Sequence, residues 1–170
     1  LKREIYDHFV SVFQHAIDVK NDYGDVISAA RKGIRHLEKF TLQPGQPIKV
    51  MLAQKALNLD DGFARVGRPC AMEYKYDGFR LQCHKSEHIK LFTRRLEDVT
   101  KQFPEVVRFL KDHVDAEDFI LDAEAVGYNP STTQYLPFQS ISQRIRRKYR
   151  TAEMAKKVPV ELNIFDIMYL

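Results

Sequence analysis

From Lys2 to Lys20 the apolar residues Ile5, Phe9, Val12, Phe13 and Ala16 recur at steps of three and four, the spacing of one buried helical face. The pair Asn21-Asp22 and then Gly24 interrupt that pattern, Asp25 is suited to cap a new helix, and a second helical pattern runs from Val26 to about Phe40. Residues Gln43 to Pro47 read QPGQP, two prolines and a glycine in five positions. Proline brings no backbone N–H, so a helix cannot continue there, and the segment reads as a linker at a domain boundary. Beyond it the periodicity is mixed. Ile48 to Met51 is short and apolar, Leu52 to Phe63 suits a helix, and Ala71 to His84 alternates as a strand-turn-strand unit. His88 to Thr93 reads as a strand, Lys101 to His113 as a helix, Phe119 to Gly127 as a strand, Phe138 to Lys157 as helical, and Pro159 to Leu170 as a strand. Strands mixed with helices, with no regular βαβ period, predict an α+β fold built on a largely antiparallel sheet.

Composition adds constraints. Among 170 residues, 27 Lys+Arg against 23 Asp+Glu leave a net charge of +4, and 44% are hydrophobic, which suits a soluble globular protein. No stretch approaches the roughly 18 apolar residues of a membrane span, and the N-terminus lacks a signal-peptide core, so a membrane partner is not expected and a cytoplasmic location is. Cys70 and Cys83 are not spaced for a disulfide scaffold or structural zinc, which fits a reducing compartment. His8 and His15 share a helix face and His84 and His88 flank an expected turn, but further metal ligands are lacking, so they read as surface or partly packed histidines. No G-x-x-x-x-G-K-[ST] loop supports P-loop hydrolysis. The chain opens on Leu1 and closes on an apolar run, and so reads as an excerpt of a longer protein.

The stretch Glu73-Tyr74-Lys75-Tyr76-Asp77-Gly78-Phe79-Arg80 is the richest in chemistry. A lysine in a strand commonly faces solvent. Partly desolvated, it can instead lose its proton near neutral pH and act as a nucleophile, with Asp77 orienting it and Gly78 letting the backbone turn close to a ligand. Spacing by itself does not choose between the two. The segment Gln143 to Lys157 carries Arg144, Arg146, Arg147, Lys148, Arg150, Lys156 and Lys157 against Glu153. It is either a solvated face or a track for nucleic-acid phosphates, with contact to the backbone rather than to bases.

EYKYDGFR resembles the K-x-D-G-x-R signature of the covalent nucleotidyltransferases, in a setting similar to that of ATP-dependent DNA ligases. Phe92-Thr93-Arg94-Arg95 resembles the second motif of that family, Leu121-Asp122-Ala123-Glu124-Ala125-Val126 its acidic strand, and Ile164-Phe165-Asp166-Ile167-Met168-Tyr169 its aromatic strand. Ile48-Lys49-Val50-Met51-Leu52-Ala53, Arg94-Arg95-Leu96-Glu97 and Pro137-Phe138-Gln139 look archaeal-type. The resemblance implies a mainly antiparallel-sheet, ATP-grasp-like nucleotidyltransferase domain preceded by part of an all-α DNA-binding domain. Residues 1–42 would be the closing helices of the latter, 43–47 a linker, and 48–170 the first part of the adenylation domain.

It implies further that Lys75 attacks the α-phosphate of ATP and holds AMP as a phosphoramidate, with Asp77 assisting. Glu73 would accept the adenine amino group and Phe165 would stack on the base, while Arg80 and Arg94 would engage sugar and phosphate or the 5′-phosphate of a nick. Glu124 would lie near the ribose and bind Mg²⁺. The implied partner is nicked duplex DNA, with a sliding clamp as a candidate second partner, in a prokaryotic cytoplasm at the nucleoid during repair, replication and recombination. The family's later E-G-x-x-x-K and K-x-K strands and its OB-fold do not occur before Leu170. Two alternatives stand beside it: an RNA ligase or GTP-dependent capping-type enzyme of the same superfamily, and a non-catalytic nucleic-acid-binding module.

Overall fold

A computed structural model describes residues 2–146 and 151–170. The opening helices follow the three-and-four spacing: α1 spans Arg3–Lys20, α2 Tyr23–Lys32 and α3 Ile34–Leu37. The first ends where Asn21 turns left-handed (φ 51°) and closes its N–H on the Ile17 carbonyl. Asp22, not Asp25, caps α2: Asp22 is extended and its Oδ1 accepts the Asp25 N–H at 3.0 Å. A cap must stand just outside the helix, and Asp25 already lies in its first turn. Gly33 (φ 114°) breaks the helical run expected to reach Phe40, leaving only the short α3 after it. Ala16, Val26 and Leu37, with no exposed surface, are the centre of a small core belonging to these helices alone.

The second core is built on an antiparallel sheet of β1 (Phe79–Lys85), β2 (Ile89–Thr93), β3 (Phe119–Gly127) and β4 (Val160–Tyr169), in the order β2-β1-β3-β4. Side chains alternate between faces along a strand, so Phe79, Leu81 and Cys83 of β1 and Phe119, Leu121 and Ala125 of β3 point one way. They pack there on Phe103, on Val106 and Leu110 of α5 (Pro104–His113) and on Ile141 of α6 (Phe138–Arg146). The alternation sends Arg80, Gln82 and His84 to the opposite face, paired in register with Glu124, Asp122 and Ile120 of β3. The helix-free face of the sheet therefore collects the polar residues.

Two expected elements are shorter than the patterns suggested. Residues 71–78 form no strand; pairing begins at Phe79. The helix expected from Leu52 starts at Leu59, because Asn58 caps it through the Asp61 N–H at 2.9 Å, giving α4 (Leu59–Val66). The stretch from Phe138 to Lys157, expected as helical, carries α6 and α7 (Thr151–Lys157), and residues 147–150 lie outside the described part.

Candidate active site

Glu73, Lys75 and Asp77 are exposed on the extended segment that leads into β1. Gly78 brings that segment down onto β3: a Cβ at this position would lie 2.3 Å from the Ala125 carbonyl oxygen. The glycine is thus required by close approach to a neighbouring strand, a constraint beyond the approach to a ligand that its sequence setting suggests. The approach brings the Gly78 N–H close enough to the half-buried carboxylate of Glu124 to favour its charged form. Burial pushes the Glu124 pKa up, while the positive charge of Lys75, the Gly78 N–H and Arg80 pull it back, so lysine and carboxylate sense one another's charge. The lysine itself is open to solvent, and the described residues do not supply the desolvation that its nucleophilic role would use.

Arg80 crosses the sheet face to Asp122. Its Nε donates to Oδ1 at 2.8 Å and to Oδ2 at 3.0 Å, and Nη2 also reaches Oδ2. Asp122 is 1% exposed, so the planar fork of the guanidinium is fixed by a buried carboxylate. The Arg80 guanidinium carbon lies 5.5 Å from the centre of the Phe165 ring, which is 43% exposed on β4. Arg80, Glu124 and Phe165 thus share one region with the Lys75 segment. Arg94 sits exposed in the turn after β2, one residue past the Leu81↔Thr93 pair and so at the same end of the sheet as Arg80. Buried Thr93 shapes that turn, its Oγ1 accepting the N–H groups of Arg95 at 3.2 Å and Glu97 at 3.4 Å. Among the described residues the Arg94 side chain makes no ion pair, and no group of three or more His, Cys, Asp or Glu residues is placed to hold a metal.

The protein-family model described as the ATP dependent DNA ligase domain matches residues 50–170. This chain belongs to that family. A DNA ligase of Nanoarchaeum equitans is 50% identical over 159 residues, covering 92% of this chain and 28% of that protein. The DNA ligase of Methanopyrus kandleri is 46% identical over 154 residues, covering 89% and 28%. A solved structure of a mycobacterial DNA ligase D complexed with ATP and MES superposes on 57% of this chain and 28% of its own, with 28% identity and a TM-score of 0.41. The chain thus spans 28% of the length of these curated ligases.

Within the ligase domain the basic run is not one surface. Arg144 is 1% exposed: it pairs with Glu105 at 2.6 Å, donates to the carbonyls of Val158 at 2.9 Å and Gln102 at 2.8 Å, and lies over the Phe103 ring. It is an internal clasp between α5, α6 and the start of β4, because α6 buries its Ile141 face and Arg144 follows one turn later. Arg147, Lys148 and Arg150 lie outside the described residues. Asp122 and His84 were missed by the sequence reading. Asp122 could have been found from L-D-A-E-A, whose alternation puts Asp122 and Glu124 on one face. His84, expected at the surface or partly packed, is wholly buried. No helix among the described residues is long and apolar enough to cross a membrane.

Proposed function

We propose that this chain is the front part of an ATP-dependent DNA ligase that seals 5′-phosphate/3′-hydroxyl nicks in duplex DNA through a lysyl-AMP intermediate on Lys75. The observation that carries the reading is the convergence of the Lys75 segment, Glu124, Arg80 and Phe165 on the helix-free face of a sheet in a chain of this family. In the first step the Lys75 amine attacks the α-phosphorus of ATP. A P–N bond forms, the bond to the β-phosphate oxygen breaks, and pyrophosphate leaves. The 5′-phosphate of the nick next takes the AMP from Lys75, and the 3′-hydroxyl then attacks that 5′-phosphorus and expels AMP.

Phe165, half open to solvent above Arg80, is suited to stack on the adenine, and Glu73 to accept its amino group. Asp77 helps orient Lys75. Arg80, pre-set by Asp122, and Arg94, in no ion pair among the described residues, are suited to sugar and phosphate oxygens. Mg²⁺ fits the donor chemistry, since that ion keeps most of its waters and takes one or two carboxylates beside substrate phosphates, and Glu124 offers a carboxylate in no ion pair among the described residues. When bound it would offset phosphate charge. We read residues 1–42 as helices of a DNA-binding domain, 43–47 as the linker and 48–170 as part of the adenylation domain, with nicked DNA as partner and a sliding clamp as a further one.

Incubating the whole ligase with ATP and Mg²⁺ should add one AMP by intact mass, and Lys75→Ala should abolish the adduct while sealing of a pre-adenylated nick survives better. An acid-labile AMP adduct in the Lys75→Ala protein would overturn the assignment.

A further inference from the structure

The segment 43–48 contains four residues with a backbone N–H and two prolines without one. Its turn is dictated locally: Pro44 fixes one φ, Gly45 takes φ 89°, and the Gln46 N–H closes on the Gln43 carbonyl at 3.2 Å, the marks of a type II turn. Such a turn leaves the Gly45 N–H pointing outward, and Pro47 leaves Ile48 the next free donor. Both are taken by side chains of β1. His84 Nδ1 accepts the Gly45 N–H at 3.1 Å. Gln82 pairs with Ile48 as a strand neighbour would, its Oε1 accepting the Ile48 N–H at 2.9 Å and its Nε2 donating to the Ile48 carbonyl at 2.6 Å. The two side chains are linked, His84 Nε2 lying 3.4 Å from Gln82 Oε1, which sets the tautomer with the proton on Nε2. Gln82 and His84 are 1% and 0% exposed, and Phe92 closes on the imidazole edge-on at 5.0 Å.

Burying a glutamine and a histidine in a sheet face is costly unless every polar atom is matched, and here the match is the backbone of the linker. Gln82 also lies two residues along β1 from Arg80, about 7 Å away on the same face. From this geometry we infer that Gln82 and His84 are positioning residues: they clamp the linker to the edge of the nucleotide site, so that the preceding helices and the site keep a fixed relation when a nick is engaged. The inference rests on the ligase reading above. The linker is then a rigid strap rather than a flexible spacer, and acts on sealing without touching substrate.

The test compares Gln82→Met, Gln82→Glu, His84→Leu and His84→Asn in the whole ligase by amide hydrogen exchange, self-adenylation and sealing of nicked duplex. Gln82→Met and His84→Leu should speed exchange of the 43–48 amides about tenfold while β1 and β3 stay protected. Sealing at limiting nick should fall about ten- to a hundredfold, with self-adenylation close to wild type. His84→Asn, which can still present an acceptor to Gly45, should restore protection, and Gln82→Glu, which keeps the acceptor for Ile48 but not the donor, should fall between. Unchanged exchange at 43–48 overturns the clamp, as does sealing that is unaffected when exchange is faster. Equal loss of self-adenylation and sealing assigns the effect to the sheet and also overturns it. Failure of the unaltered protein to take up AMP would instead sink the ligase reading, and the exchange data would still decide whether the strap is held.

Discussion

Gly78 and His84 are the residues whose surroundings differ most from what their types suggest. At Gly78 the obstacle to a side chain is backbone, the Ala125 carbonyl, which cannot swing aside as a flexible side chain would. Gly78→Ala should therefore cost about 1–3 kcal/mol in urea unfolding, typical of overpacking, and depress AMP uptake by lifting the Lys75 segment off Glu124. A variant with unaltered stability and labelling would show that the segment does not need this approach. At His84, burial first and the charge of Lys90 second pull the imidazole pKa down to about 4, from 6.5. The unfolded chain thus binds more protons between those values. Stability should be complete above about pH 6.5 and fall as pH drops toward 4, with a slope of up to about 1.4 kcal/mol per pH unit from this one group. Urea melts at pH 7, 6 and 5 would measure the slope, and His84→Asn should remove that share of it.

Among the elements, α6 shows how a charged residue can be part of the fold instead of the surface. Arg144 donates to two carbonyls and forms an ion pair with Glu105 from within the core. Removing one partner of a buried ion pair leaves the other uncompensated, so Arg144→Ala should destabilise by about 3–5 kcal/mol. The slope of log affinity for nicked duplex against log salt should not change, whereas loss of a true phosphate contact would lower it by about 0.9. A double-mutant cycle with Glu105→Gln would give the coupling of the pair, and additivity within about 0.5 kcal/mol would refute it.

On the scale of the whole molecule, the open side of β4 dominates. β4 pairs only with β3 among the described strands, and Ile164, Phe165, Ile167 and Tyr169 are between 37% and 58% exposed along it. An unpaired apolar strand edge is a template for another chain. The 170-residue chain on its own should therefore self-associate with rising concentration, as read by light scattering after size exclusion. It should also label at Lys75 about two to three orders of magnitude more slowly than the whole ligase, since the family's E-G-x-x-x-K and K-x-K strands do not occur in these 170 residues and the loss of one positioned donor to the developing charge costs that much. A monodisperse monomer that labels efficiently would contradict both expectations.

The sequence by itself determined the class of fold, most of the strands, the helix α1 and the family, because these rest on short-range periodicity and on motifs carried in a few consecutive residues. Phe119 to Gly127, expected as a strand, is β3 to the residue. The end of α2 and the start of α4 lie well away from where periodicity puts them, since Gly33 breaks the one and Asn58 caps the other. What only the tertiary structure decided is who meets whom across distance. Arg80 is matched to Asp122 42 residues away, Gln82 to Ile48 34 residues away, and Arg144 is drawn inside by a carbonyl 42 residues earlier. None of these pairs has a local signature. Each arises because burial strips water from a polar group and leaves it only the partners that chain topology brings within reach.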